Sequence, residues 1–305
     1  MIITHRRLAL AAAAAIVLAA CGSDDSDSTA ADPPPPATDA PVTPEPAADE
    51  PAADEPAADE PAADDPPAME LPEFAAGFAL SLTSDAADSV VTDNEVTINV
   101  AATGYELSCD WTGKTVNDGY GHYHILLDNS LIDMKCDPTA TVSMQNTAPG
   151  PHTIAVVPAL NNHTEIPDNM GAINFTYEPA SALPDIVDAA ITADPVIRIV
   201  SPQHGEVVSG DFEVVIEVDN YDLSCDLFGK PGLLGYGHYH LHLDSLDGPM
   251  MGMGSMMGMS CSTAFAASTV GLESGSTHSL IAVLADNGHA PLMNAMAAEV
   301  EVTVG

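Results

Sequence analysis

Tyr236-Gly237-His238-Tyr239-His240-Leu241-His242-Leu243 alternates rings that can ligate through nitrogen with residues that can fill a core. A period of two belongs to an extended strand, not to a helix. In that phase Tyr239, Leu241 and Leu243 share one face, and His238, His240 and His242 share the other. The stretch is written twice. Tyr120-Gly121-His122-Tyr123-His124-Ile125-Leu126-Leu127 places His122 and His124 with Leu126, opposite Tyr123, Ile125 and Leu127. The large apolar residues define the inward face of each strand, so the histidines are expected on its outer face.

The duplication extends beyond the strand. Tyr105, Leu107, Ser108, Cys109, Asp110, Gly113, Lys114, Tyr120, His122 and His124 recur as Tyr221, Leu223, Ser224, Cys225, Asp226, Gly229, Lys230, Tyr236, His238 and His240, at an offset of 116. Cys136 then matches Cys261 at 125, and His152 and His163 match His278 and His289 at 126, because the second copy carries an insertion at 250–259. Units this long bury their own cores and are domains, not solenoid repeats. Alternating segments at 96–100, 122–127, 153–157, 173–177, 196–200, 212–218, 238–243, 279–284 and 300–304 read as short strands bounded by Gly, Pro, Asn or Asp. Only 183–193, between the copies, offers a short helix or a linker turn. The expected fold is all-β, two tandem immunoglobulin-like sandwiches at 74–178 and 194–305 joined by a linker at 179–193.

Upstream of the repeats the chain changes character. His5-Arg6-Arg7 precedes an apolar run that ends in Leu18-Ala19-Ala20-Cys21, an export signal over 1–20 too short to span a bilayer comfortably. Its last four residues resemble the lipobox of bacterial lipoproteins, which implies cleavage before Cys21, a lipid on its sulfur, and an extracytoplasmic protein held at the bacterial cell membrane. Residues 21–73 contain no Lys or Arg, a proline run at 33–36 and four Pro-Ala-Ala-acid-acid units, and are read as a disordered tether. Fully extended, such a tether reaches on the order of 150 Å at ~3.1 Å per residue.

The formal net charge is −39, from 45 acidic and 6 basic residues, with 16 of the acids in the tether. A surface of this sign disfavours nucleic acid and anionic headgroups, so the lipid anchor is the expected membrane contact and cations the natural partners. Nothing in the residues identifies a protein partner. Once Cys21 is set aside, four cysteines remain, two per copy. Export favours oxidation, and the duplication selects Cys109–Cys136 and Cys225–Cys261. Each bridge contributes about 3–4 kcal/mol in the chain-entropy picture.

Two imidazoles at i and i+2 on a strand sit about 7 Å apart at the backbone, close enough for both rings to lean toward one ion. The repeat supplies a third candidate at a strand-end turn, His163 after Asn161-Asn162 and His289 after Asn287-Gly288. His152 and His278 are read as strand-entry residues that satisfy backbone groups. The pieces Gly121-His122-Tyr123-His124-Ile125-Leu126-Leu127-Asp128, Pro149-Gly150-Pro151-His152-Thr153-Ile154 and Asn161-Asn162-His163 resemble a family of secreted bacterial domains bearing Gly-His-His-His-Leu-Leu-Ile-Asp, then Pro-Gly-x-His-Thr-Leu, then a loop Asp-x-x-His. That resemblance implies no activity. It departs at Tyr123 and Tyr239, which stand where the family has a third strand histidine. In addition, 197–208 resembles the opening strand and turn of bacterial immunoglobulin-like domains.

Three imidazoles suit zinc or copper. Six of the 13 methionines, including Met253, Met256 and Met259, fall in the Gly-rich insertion, which is expected to be a mobile loop. Thioethers favour Cu(I), so copper is preferred in the second copy, which also adds His242. The candidate metal ligands are therefore His122, His124, His163, His238, His240, His242, His289, Met253, Met256 and Met259. The competing expectation is a structural or adhesive surface module whose histidines brace strands. No nucleophile elbow, phosphate loop or Glu between paired histidines is present, so no enzyme activity is expected.

Overall fold

A computed structural model of the chain describes residues 71–230, 232–248 and 252–305. The export signal, Cys21, the tether up to 70, Met250 and Met251 lie outside the described residues.

The described part is all-β, with short 3-10 turns as its only helical segments. The first copy supplies β1 (Ala79–Thr83), β2 (Val90–Val91), β3 (Glu95–Thr103), β4 (Glu106–Leu107), β5 (Tyr120–Leu127), β6 (Ser130–Lys135), β7 (Thr139–Ser143), β8 (Gly150–Ala159) and β9 (Gly171–Tyr177). The second supplies β10 (Val196–Ser201), β11 (Glu206–Val208), β12 (Asp211–Asp219), β13 (Asp222–Leu223), β14 (Tyr236–Leu243), β15 (Met256–Ser260), β16 (Ala264–Ser268), β17 (Thr277–Asp286) and β18 (Ala298–Val304). Each strand has its counterpart nine places on. In the first copy a sheet ordered β1-β3-β7 faces one ordered β2-β9-β8-β5-β4, with β6 also on β5. In the second, β10-β12-β16 faces β11-β18-β17-β14-β13, with β15 on β14. These are two immunoglobulin-like sandwiches.

The alternation read from the sequence builds both cores. Val96, Ile98 and Val100 of β3 meet Tyr123, Ile125 and Leu127 of β5 and Ile154 and Val156 of β8. Val214 and Ile216 of β12 meet Tyr239, Leu241 and Leu243 of β14 and Leu280 and Leu284 of β17. Cys109–Cys136 and Cys225–Cys261 are both bridged, with Cα separations of 5.5 and 5.3 Å.

Three features differ from the sequence expectation. First, 183–193 forms no helix. Its backbone is held by other segments instead, with Gln145 Nε2 donating to Pro184 O, Asn146 Nδ2 to Ile186 O and Ala189 N to Leu234 O. Second, the methionine segment is not a loose loop. The free edge of β14 recruits Met256–Ser260 as β15, in which Met256 and Met257 are buried and Met257 enters the second core.

Third, the histidine faces are not outer surfaces. The two sandwiches belong to one compact unit, and each covers the other's histidine face, so β5 and β14 are buried on both sides. The contacts are reciprocal. Lys114 Nζ donates to Ser268 O and Val270 O, each at 2.7 Å, and Lys230 Nζ donates to Ser143 O and Gln145 O, the same carbonyls 125 residues earlier. A Cβ on Gly113 would lie 2.6 Å from Ser255 O, and one on Gly229 2.6 Å from Leu131 O. With φ of +74° and +69° as well, both positions accept only glycine without strain. The repeated Gly-Lys pair is the mark of a pseudo-two-fold interface.

Candidate metal centres

Strand geometry places His122 and His124 on β5 and His238 and His240 on β14. The third histidine of each set comes from the turn that leaves β8 or β17. There His163 and His289 take φ of +63° and +67°, a region that non-glycine residues rarely occupy and that typically costs about 1–2 kcal/mol. The turns close through His163 N to Leu160 O and His289 N to Asp286 O. Two copies hold the same residue type in the same unfavourable backbone state, which aims both rings back over their strands.

In the first triad His122 Nε2 lies 3.2 Å from His124 Nε2 and 2.9 Å from His163 Nδ1, and His124 Nε2 lies 3.4 Å from His163 Nδ1. In the second, His238 Nε2 lies 2.9 Å from His240 Nε2 and 3.0 Å from His289 Nδ1. Bonds of 2.0–2.1 Å to a tetrahedral ion put ligand nitrogens about 3.3 Å apart. The first triad fits that edge length closely, as do the two His238 contacts of the second, and each triad could hold a metal ion.

Outer partners set the tautomers of His124, His163 and His289, whereas Nδ1 of His122 and of His238 is buried without a partner. His163 Nε2–H donates to Met256 O at 2.7 Å, and His289 Nε2–H donates to Leu131 O at 2.8 Å. Each bond crosses from one repeat to the other, and each leaves Nδ1 as a lone pair facing the triad. His124 Nδ1–H donates to Glu165 Oε1 at 2.6 Å, which leaves its Nε2 as a lone pair. A carboxylate or carbonyl behind a ligating imidazole is the usual support of a histidine metal site. The first triad has both kinds of support. In the second, Pro291 stands in the bridge position of Glu165, and the carboxylate is missing.

Burial disfavours the charged form of His122, His163, His238, His240 and His289. Burial first, then the neighbouring His163 and His124, push His122 well below the ordinary imidazole value, and burial followed by His240 and His289 does the same to His238. Burial lowers His163 and His240 to about 3 and His242 to about 4. It also lowers His289, against the Leu131 carbonyl. Desolvation between the sandwiches outweighs Asp286 and Asp133, which favour imidazolium at His289. Hydrogen bonding to His124 lowers Glu165, against burial, so it is the carboxylate that accepts.

The remaining candidates separate. His242 is buried but lies outside the triad, with Nδ1 3.2 Å from Gly252 O and 3.4 Å from Ser255 Oγ. Met259 pairs with His240, as Met134 pairs with His124, and both methionines line a cleft beside His122 and His163. Met256 pairs with His242 and gives its carbonyl to His163. Met253 begins the short turn Met253–Ser255 and reaches neither triad by any recorded bond. His152 bonds Asp128 and Ala148 O, and His278 bonds Asp244 and Ser276, well away from both triads. The sequence reading missed Glu165, which sits two residues beyond His163.

Comparison with protein-family models gives no match, and comparison with curated proteins gives none either. Among solved structures, the chain is similar to the fibronectin(III)-like modules of CbhA from Clostridium thermocellum, at 12% identity and TM-score 0.24, over 74% of this chain and 93% of that one. It is similar to a putative membrane anchored protein from Corynebacterium diphtheriae at 10% identity and TM-score 0.23, over 74% and 59%. It is also similar to the FN1-FN3 domains of chicken CNTN1 at 9% identity and TM-score 0.22, over 72% and 66%. Scores at this level carry no argument about activity. Among the described residues no helix is long and apolar enough to cross a membrane.

Proposed function

We propose that this chain is an extracytoplasmic lipoprotein, tethered through Cys21, that binds transition-metal ions in its two histidine triads, copper or zinc being the ions suited to three imidazoles. The observation that carries the reading is the convergence of three ring nitrogens in each copy, with outer hydrogen bonds turning the lone pairs of His124, His163 and His289 inward. Three nitrogens facing one point can share at most one proton usefully, whereas an ion uses all three lone pairs. The strained backbone at His163 and His289 supports the same reading, because the turn gains nothing from a histidine there that glycine would not give more cheaply. The role is binding, not catalysis: storage, delivery or protection at the cell surface.

A second reading has its own observation. The bonds from His163 to Met256 O and from His289 to Leu131 O join the repeats with or without an ion, as a structural or adhesive surface module would require. Titration of the purified protein with Zn²⁺, and separately with Cu(I), distinguishes them. Two equivalents are expected for the wild type and one each for His122→Ala/His124→Ala and His238→Ala/His240→Ala. Equal stoichiometry in all three proteins rejects the triads as sites.

A further inference from the structure

The pseudo-two-fold axis makes every difference between the triads a difference between matched positions, and one of these controls access. At the offset of 116, Thr112 corresponds to Phe228. Thr112 lines a cleft of about 240 Å³ between the repeats, together with His122, His163, Met134, Met257 and Met259. The threonine is 3% exposed, and its hydroxyl has no hydrogen-bond partner within the protein. A buried hydroxyl with no partner beside two metal-binding rings is a donor awaiting a ligand.

The matching cavity in the other half, about 190 Å³, is lined by Cys225, Asp226, Phe228, Ile132, Asp133 and Ser143 among others, and no histidine forms its wall. Phe228 is the reason. Its ring meets His238 edge-on at 4.5 Å between centroids, stands 6.1 Å from His289, and packs into the core of the first sandwich. On this side the second triad is capped where the first opens into the cleft, although His289 is itself part-exposed at another edge while all three rings of the first triad are buried.

We propose that the two triads are unequal by construction: the ion of the first takes a small fourth ligand, a water or a small anion, from the methionine-lined cleft beside Thr112, and Phe228 plugs the matching approach to the second. The inference rests on the metal reading above. It assigns different work to the two sites, since an ion with an exchangeable position can be handed on, whereas one whose matching approach is plugged holds the interface together.

The test uses Co²⁺ as a visible probe of tetrahedral coordination and azide as the small anion. In the wild type loaded with two Co²⁺, azide is expected to shift about half of the visible-band intensity. Thr112→Phe, which installs the second copy's plug, should abolish the shift. Phe228→Thr should extend it to the whole band, and Phe228→Leu, which keeps an apolar side chain in the first core, serves if the threonine variant does not fold. Azide that shifts both centres or neither in the wild type overturns the inequality, as does a half shift that Thr112→Phe leaves intact. A protein that binds no Co²⁺, Zn²⁺ or Cu(I) overturns the metal reading itself, an outcome distinct from two bound ions that respond alike.

Discussion

Lowering the pH of the metal-free protein should unfold it far sooner than its acidic surface would suggest. His122, His163, His238 and His240 are held at about 3 or well below the ordinary value in the folded state, chiefly by burial. Once unfolded, each ring returns to about 6.5. Above that value neither state carries the proton and stability is at its full level. As the pH falls below 6.5 the unfolded chain takes up protons that the folded chain refuses, and stability declines until the folded rings titrate in turn, His163 and His240 at about 3. Between pH 7 and pH 5 His163 and His240, both at about 3 when folded, remove about 2 kcal/mol each, roughly 4 kcal/mol together, against about 5–15 kcal/mol for a whole domain, and His122 and His238 act in the same direction. Even two rings' worth, about 4 kcal/mol, should lower the thermal midpoint by roughly 8–16 °C for a chain of this size. The assay is a circular-dichroism melt in chelator-treated buffers from pH 7.5 to pH 4.5. A midpoint that moves by less than ~5 °C between pH 7 and pH 5 would refute the burial of these rings between the sandwiches.

Two other perturbations address particular contacts. Glu165→Gln removes the carboxylate behind His124 and should weaken metal binding at the first triad by about 10–100-fold while leaving the second unchanged, as read by competition with a chelator of known affinity. Gly113→Ala forces a Cβ against Ser255 O in a left-handed backbone and should cost at least ~2 kcal/mol in denaturant unfolding, with Gly229→Ala giving a similar loss. If either glycine variant proves neutral, the repeats do not press together there.

Much of the fold was written in the chain. The period-two alternation located both core faces, because burying Tyr123, Ile125 and Leu127 dictates where His122 and His124 point, and the duplication paired the cysteines. The same rule stops at one sandwich. Alternation says which residues leave their own core, but not that a second copy will cover them, so the histidines were expected on an outer face. The signals of that cover were the repeated Gly113-Lys114 and Gly229-Lys230, whose meaning depends on carbonyls 85 to 156 residues away in the other repeat. The methionine segment misled for a related reason. Its glycines suggested a loose loop, but the open edge of β14 and the burial of Met256 and Met257 outweigh glycine's preference for disorder. Glu165 and the exchange of Thr112 for Phe228 were visible in the aligned copies, though nothing local gave them weight before the interface brought them to the histidines.

X-ray absorption at the metal edge of the Zn²⁺-loaded protein tests the central claim most directly. With 45 acidic residues, adventitious binding to carboxylates is the natural competitor. The account predicts a shell of about four ligands near ~2.0 Å, dominated by imidazole nitrogen with its outer-ring scattering. A six-oxygen shell without imidazole scattering, unchanged in His122→Ala/His238→Ala, would contradict it.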